Sequence, residues 1–136
     1  MSYTPSTRLD SKPQGGWTRQ AIEAEARRRG ALRWDDLMDV FDVYFGQAFL
    51  NPEIAAIQSA HETGWWTSPW YRDRLNLAGI GITGDPTQNN ASKTWTNGRD
   101  AARAHLTHLW RYLKGTTPPA SFPGTPAEDP RWDAAA

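Results

Sequence analysis

Four stretches of helical apolar spacing, each headed by a residue suited to capping, dominate this 136-residue chain and direct it towards a mainly helical fold. Thr18 caps a first predicted helix over about 19–29, which Gly30 stops. Asp35 or Asp36 opens a second, whose inward stripe is Leu37, Phe41, Tyr44, Phe45 and Ala48. Asn51-Pro52-Glu53 announces a third. It combines an N-cap side chain, a proline where no donor is needed and an acid in the first turn. This helix is short and built of small residues, which suits a buried central position, and Gly64 ends it. Asn97 caps the last, which runs to about residue 114 with Ala102, Leu106, Leu109 and Leu113 inward and Gly115 beyond.

Between residues 67 and 96 the periodicity disappears. The run Asn76-Leu77-Ala78-Gly79-Ile80-Gly81-Ile82-Thr83-Gly84-Asp85 reads as tight turns around a short strand at 80–83. Residues 1–16 read as a flexible leader and 116–136, with five prolines, as an irregular tail. One domain over 17–115 is therefore expected.

Composition narrows the chemistry. There are no cysteines, which removes thiol catalysis and cysteine-bound zinc. Fifteen basic and fifteen acidic residues cancel, against a nucleic-acid partner. The only basic cluster, Arg27-Arg28-Arg29, closes the first helix, where positive charge suits the dipole. No apolar run reaches the ~18 residues of a membrane span, and the first residues lack the apolar stretch of a secretory signal. Eight tryptophans are many for this length. Trp17, Trp34 and Trp110 stand where helical patterning buries them. Trp65, Trp66, Trp70 and Trp95 crowd turns, where aromatic faces serve equally as core or as platforms for sugar rings.

The segment richest in chemistry is Gln58-Ser59-Ala60-His61-Glu62-Thr63-Gly64-Trp65. Glu62 stands in the last turn of its helix, at the negative end of the dipole, and the neighbouring Trp65 and Trp66 are expected to desolvate it. Both effects favour the protonated carboxyl, the state a general acid requires. The competing reading is a solvated glutamate at a frayed helix end.

This segment, followed by Asn76-Leu77-Ala78-Gly79-Ile80, resembles the glucosaminidases of glycoside hydrolase family 73. In those proteins a helix carries A-Q-x-x-x-E-S/T-G-W and an N-x-x-G-I/L turn follows. Phe49-Leu50-Asn51-Pro52-Glu53 is similar to the family's approach to its catalytic helix. The resemblance spans about 34–113, with its specificity concentrated in 51–84. It implies a lysozyme-like fold with a reduced β-lobe, no cofactor, and Glu62 as proton donor to a β-1,4 glycosidic bond of peptidoglycan. With no signal peptide in view, a wall hydrolase suits a bacteriophage enzyme, freed at lysis or carried in the virion, and equally a module of a longer secreted chain; it is expected to be monomeric unless part of a larger assembly.

The chain departs from the family in its second carboxylate. A glycosidase pairs its acid with another carboxyl, roughly 6.5–9.5 Å away when water attacks directly. The family draws it from the β-lobe, here shortened to about 84–95 with Asp85 its only acid. Asp85 is the candidate, though an aspartate before Pro86 also forms turns. Asp73 is another loop acid, and Asp100 belongs to the first turn of the last helix. Without a second acid, the substrate's acetamido oxygen or its muramic 6-hydroxyl would attack, the latter making a lytic transglycosylase. Gln58, Trp65, Trp66, Trp70, Tyr71, Asn76, Thr83 and Trp95 complete the expected substrate-binding set, with Ser59 and Gln58 placed to hold Glu62 or touch sugar.

Two rival readings stand beside this one. His105 and His108, at i, i+3 on one helix, form a feasible zinc pair, but His61-Glu62 lacks the second histidine of H-E-x-x-H. A noncatalytic wall-binding or virion structural module would explain a missing second acid, yet has no use for a protonated Glu62.

Overall fold

The computed structural model describes residues 16–79, 94–114, 119 and 121–123, with the side chains of all but 113 and 114. Five helices run along them: α1 (Arg19–Arg28), α2 (Trp34–Phe45), α3 (Pro52–Glu62), α4 (Pro69–Arg74) and α5 (Gly98–Lys114). The described secondary structure is entirely helical, so the mainly helical expectation holds. The strand expected at 80–83 lies outside the described residues, as do Thr83, Asp85 and nearly all of the shortened lobe.

Local chemistry accounts for most of the boundaries. Thr18 accepts from the Ala21 N–H to cap α1, and Arg29 and Gly30 close it, Gly30 at φ +81°. Asn51 Oδ1 accepts from the N–H groups of Glu53 and Ile54, and Pro52 fills the first turn of α3. At α5, Asn97 and Asp100 cap reciprocally: the Asp100 N–H donates to Asn97 Oδ1, while Asn97 Nδ2 donates to the Asp100 carboxylate. Such paired caps satisfy donors that a helix end otherwise leaves to water.

Two expectations are corrected here. Helix α2 begins at Trp34, before either aspartate, and its N-cap is Arg33, in the left-handed region at φ 51° with no side-chain cap. Arg33 is held there by its ion pair to Asp36, 3.0 Å, and by a bond to the Arg72 carbonyl. The helix also ends at Phe45, which leaves Ala48 exposed rather than on the inward stripe. Helix α4 was not expected at all. Ser68 caps it and Pro69 occupies its first turn, so the signal was present but only six residues long.

The core joins Ile22 and Ala26 of α1, Leu37, Val40, Phe41 and Tyr44 of α2, Ala55, Ala56 and Ala60 of α3, and Ala102, Leu106 and Leu109 of α5. Helix α2 packs most extensively on α5 and also on α3, while α1 packs on α3. The approach of α5 to α2 is close enough to demand glycine: a Cβ on Gly98 would stand 2.0 Å from the Asp36 carbonyl oxygen. Phe122, from the proline-rich tail, also enters the core. It lies between Phe49 and Trp110, with ring centroids 5.5 and 5.0 Å away. The basic cluster ends α1 as expected. Arg28 and Arg29 pair with Glu25, whose carboxyl they hold at about 2, Arg28 foremost. Arg27 lies over the Trp34 ring, 4.2 Å from its centroid.

Candidate functional site

Glu62 ends α3 and is exposed. Its carboxylate lies against the turn that follows α4: a Cβ built on Gly79 would come within 3.3 Å of Glu62 Oε2. Gly79 sits at φ +66°, a conformation glycine adopts without steric cost. The turn is tied to α3 from below. Ser59 Oγ donates to the Leu77 carbonyl at 2.8 Å, and Asn76 Oδ1 accepts from the Ala78 N–H at 3.4 Å. The two motifs 17 residues apart in sequence, Glu62 and Gly79, therefore form one surface, with the carboxylate supported by bare backbone.

Beyond Glu62 the chain turns sharply. Gly64, Trp65 and Trp66 are consecutive left-handed residues, at φ 57°, 55° and 62°. A non-glycine residue in that region costs roughly 1–2 kcal/mol. The turn is held by the Trp65 N–H on the Ala60 carbonyl, 2.6 Å, and the Trp66 N–H on Thr63 Oγ1, 2.9 Å. It leaves the two rings in edge-on contact, with centroids 5.7 Å apart, but differently exposed. Trp66 is wholly buried, edge-on to Phe41 at 5.2 Å, with its Nε1–H donating to Ser59 Oγ at 2.9 Å. Trp65 stays half-buried at the surface, 5.8 Å from the Trp17 ring and with the Arg29 guanidinium 5.1 Å above it. Trp17 is itself anchored to α3, its N–H donating to Glu53 Oε1 at 2.8 Å.

The expected desolvation of Glu62 by Trp65 and Trp66 is thus corrected: one ring is in the core, the other on Trp17, and the carboxylate meets solvent. Three of the expected sugar contacts are corrected on the same ground. Trp66, Tyr71 and Asn76 are fully buried. The Tyr71 hydroxyl donates to the Leu32 carbonyl at 2.8 Å, and burial pushes its pKa upward. Ser59 is also fully buried and holds the 76–79 turn instead of facing sugar. Trp65, Trp70, Trp95 and Gln58 remain half-buried and accessible in part. Asp73 is exposed and ion-paired to Arg72 at 2.8 Å, which lowers its pKa. Asp100 caps α5. Glu53 lies at the far end of α3, nine residues and so about 13 Å of helix axis from Glu62.

The pattern-based reading missed the residues behind Gln58. His105 is fully buried, and both ring nitrogens are engaged. Nε2 lies 2.7 Å from Gln58 Oε1, and Nδ1 meets the buried Tyr44 hydroxyl. Burial, helped by the neighbouring His108, lowers the imidazole pKa to about 3, and burial likewise raises that of Tyr44. The arrangement removes the zinc pair, because His105 has no nitrogen to offer. The signal was legible: residue 105 falls on the inward face of α5, between Ala102 and Leu109. Among the described residues no three metal-ligating side chains converge, and no helix is long and apolar enough to cross a membrane. Comparison with protein-family models, with curated proteins and with solved structures finds no significant match.

Proposed function

We propose that this chain is a lysozyme-like peptidoglycan hydrolase of the glucosaminidase type, with Glu62 donating a proton to the leaving glycosidic oxygen. The observation that carries this reading is the seating of the Glu62 carboxylate on Gly79. A general acid must reach the bond it protonates and keep one position while doing so. An exposed carboxylate at a helix end, backed by a glycine turn that a serine bond ties to the same helix, meets both needs. Trp65, half-buried beside the helix end among Trp17, Trp66 and the Arg29 guanidinium, adds a partly exposed aromatic surface of the kind that pyranose rings contact. A purely wall-binding module would have no requirement for an acid at this position.

The test is a digest of purified peptidoglycan by the wild-type chain and by Glu62→Gln, with reduced products read by mass spectrometry. Glycan cleavage should fall by at least about a hundredfold in the variant. A new reducing N-acetylglucosamine end marks a glucosaminidase, reducing muramic acid a muramidase, and anhydro-muramic acid a transglycosylase. Equal cutting by both proteins, or none by the wild type, would remove the assignment.

A further inference from the structure

Gln58 precedes Glu62 by one helical turn, so the two side chains leave the same face of α3. The carboxamide of Gln58 is oriented from inside the protein. His105 Nε2 lies 2.7 Å from its Oε1, so that nitrogen carries the proton and donates. The other ring nitrogen is then an acceptor, and the Tyr44 hydroxyl donates to it. A neutral ring holds only one proton, so the two bonds are coupled: an amide oxygen facing Nε2 goes with a Tyr44 hydroxyl that donates to Nδ1. The far end of the chain is the Gln58 NH2 group, half-buried and with no partner among the described residues.

We infer that Tyr44 and His105 are positioning residues that fix the Gln58 amide with its NH2 outward, as a hydrogen-bond donor beside Glu62 for a carbonyl oxygen of the glycan, the acetamido group being the chemistry that fits. The inference rests on the hydrolase reading above and names a substrate contact within it. An amide free to flip would present oxygen as often as nitrogen and would repel the same carbonyl. The buried pair ties the orientation of the amide to the tautomer of one ring, through a tyrosine and a histidine from two other helices that never meet substrate.

Two measurements test it. Long-range proton–nitrogen NMR of the wild-type protein should show His105 neutral and protonated on Nε2; protonation on Nδ1 would turn the Gln58 oxygen outward and overturn the inference. Kinetics on soluble, uncrosslinked glycan strands form the second arm, using Gln58→Leu, Tyr44→Phe and the double variant, each assayed where circular dichroism shows it folded. Gln58→Leu should lower kcat/KM about tenfold, as expected when a neutral hydrogen bond to substrate is lost. Tyr44→Phe should lower it several-fold, and the double variant should match Gln58→Leu alone. Additive losses would make Tyr44 merely structural and overturn its role. A wild type that cleaves strands while Gln58→Leu cleaves equally fast overturns this inference and leaves the hydrolase reading intact. A wild type that cleaves nothing overturns both.

Discussion

The carboxylate of Glu62 rests on Gly79, so closely that a methyl group at residue 79 would stand 3.3 Å from Oε2. Gly79→Ala meets two difficulties at once. The backbone at φ +66° suits a side chain poorly, costing about 1 kcal/mol, and the new methyl displaces the carboxylate by a few tenths of an ångström. Glycan cleavage should fall about tenfold, in keeping with the sensitivity of catalysis to small misplacements. Urea unfolding should show the modest stability loss alone. An unchanged rate would mean that Glu62 does not act from this position.

Ser59 links three parts of the molecule: it receives the Trp66 indole proton and passes its own to the Leu77 carbonyl. Ser59→Ala leaves both groups buried without that partner, at a cost of roughly 1–3 kcal/mol. Chemical denaturation of the variant measures the loss directly. A change below about 0.5 kcal/mol, the size of an ordinary surface substitution, would mean that the bond does not hold the turn.

His105 makes stability depend on acidity. Its pKa is lowered in the folded protein from 6.5 to about 3, so between those values the unfolded chain binds a proton that the folded chain refuses. Stability is therefore unaffected by this residue above pH 6.5 and is lost as the pH falls towards 3, by up to about 1.4 kcal/mol per pH unit. Glu25 and Asp73, whose pKa values are also lowered, weaken the fold in the same direction on acidification. The difference between wild type and His105→Gln isolates the histidine. Urea midpoints taken from pH 7 to pH 4 should fall more steeply for the wild type, and parallel curves would contradict a buried neutral ring.

Phe122 fills a site between Phe49 and Trp110 and is 5 % exposed. Phe122→Ala should cost about 3 kcal/mol, the range for emptying a buried aromatic site. A thermal melt would show it; a negligible shift would mean that this part of the tail adds nothing to the domain.

The helices were legible wherever a cap and an apolar stripe coincided. Asn51 with Pro52, and Asn97 with Asp100, each announced a helix that the structure contains. Position Arg33 was not legible, because its left-handed backbone depends on the distant Arg72 carbonyl as well as on Asp36. The candidate site was legible in part. Glu62 and the glycine turn could be named from their spacing, but not the fate of the adjacent tryptophans. Two neighbouring rings of one type carry no local sign of which turns inward. That choice is made by three successive left-handed residues and by Ser59 waiting beneath. Nor does an apolar stripe reveal that Tyr44 and His105, each at an inward position of its own helix, share a hydrogen bond.

Much of the face that α5 turns to the rest of the protein is alanine and leucine, side chains that would tolerate sliding along their neighbours. His105 does not tolerate it. Moved by one turn in either direction, α5 would bring Ala101 or Leu109 to the place of the imidazole, taking from the Tyr44 hydroxyl one of its two side-chain partners and from Gln58 its donor. At roughly 1–3 kcal/mol for each group deprived of a partner, the slipped arrangements are disfavoured even where their apolar contacts are equally good. This buried imidazole thus acts as a key that favours one register of α5, alongside Thr107, His108 and Arg111, which are buried on the same helix.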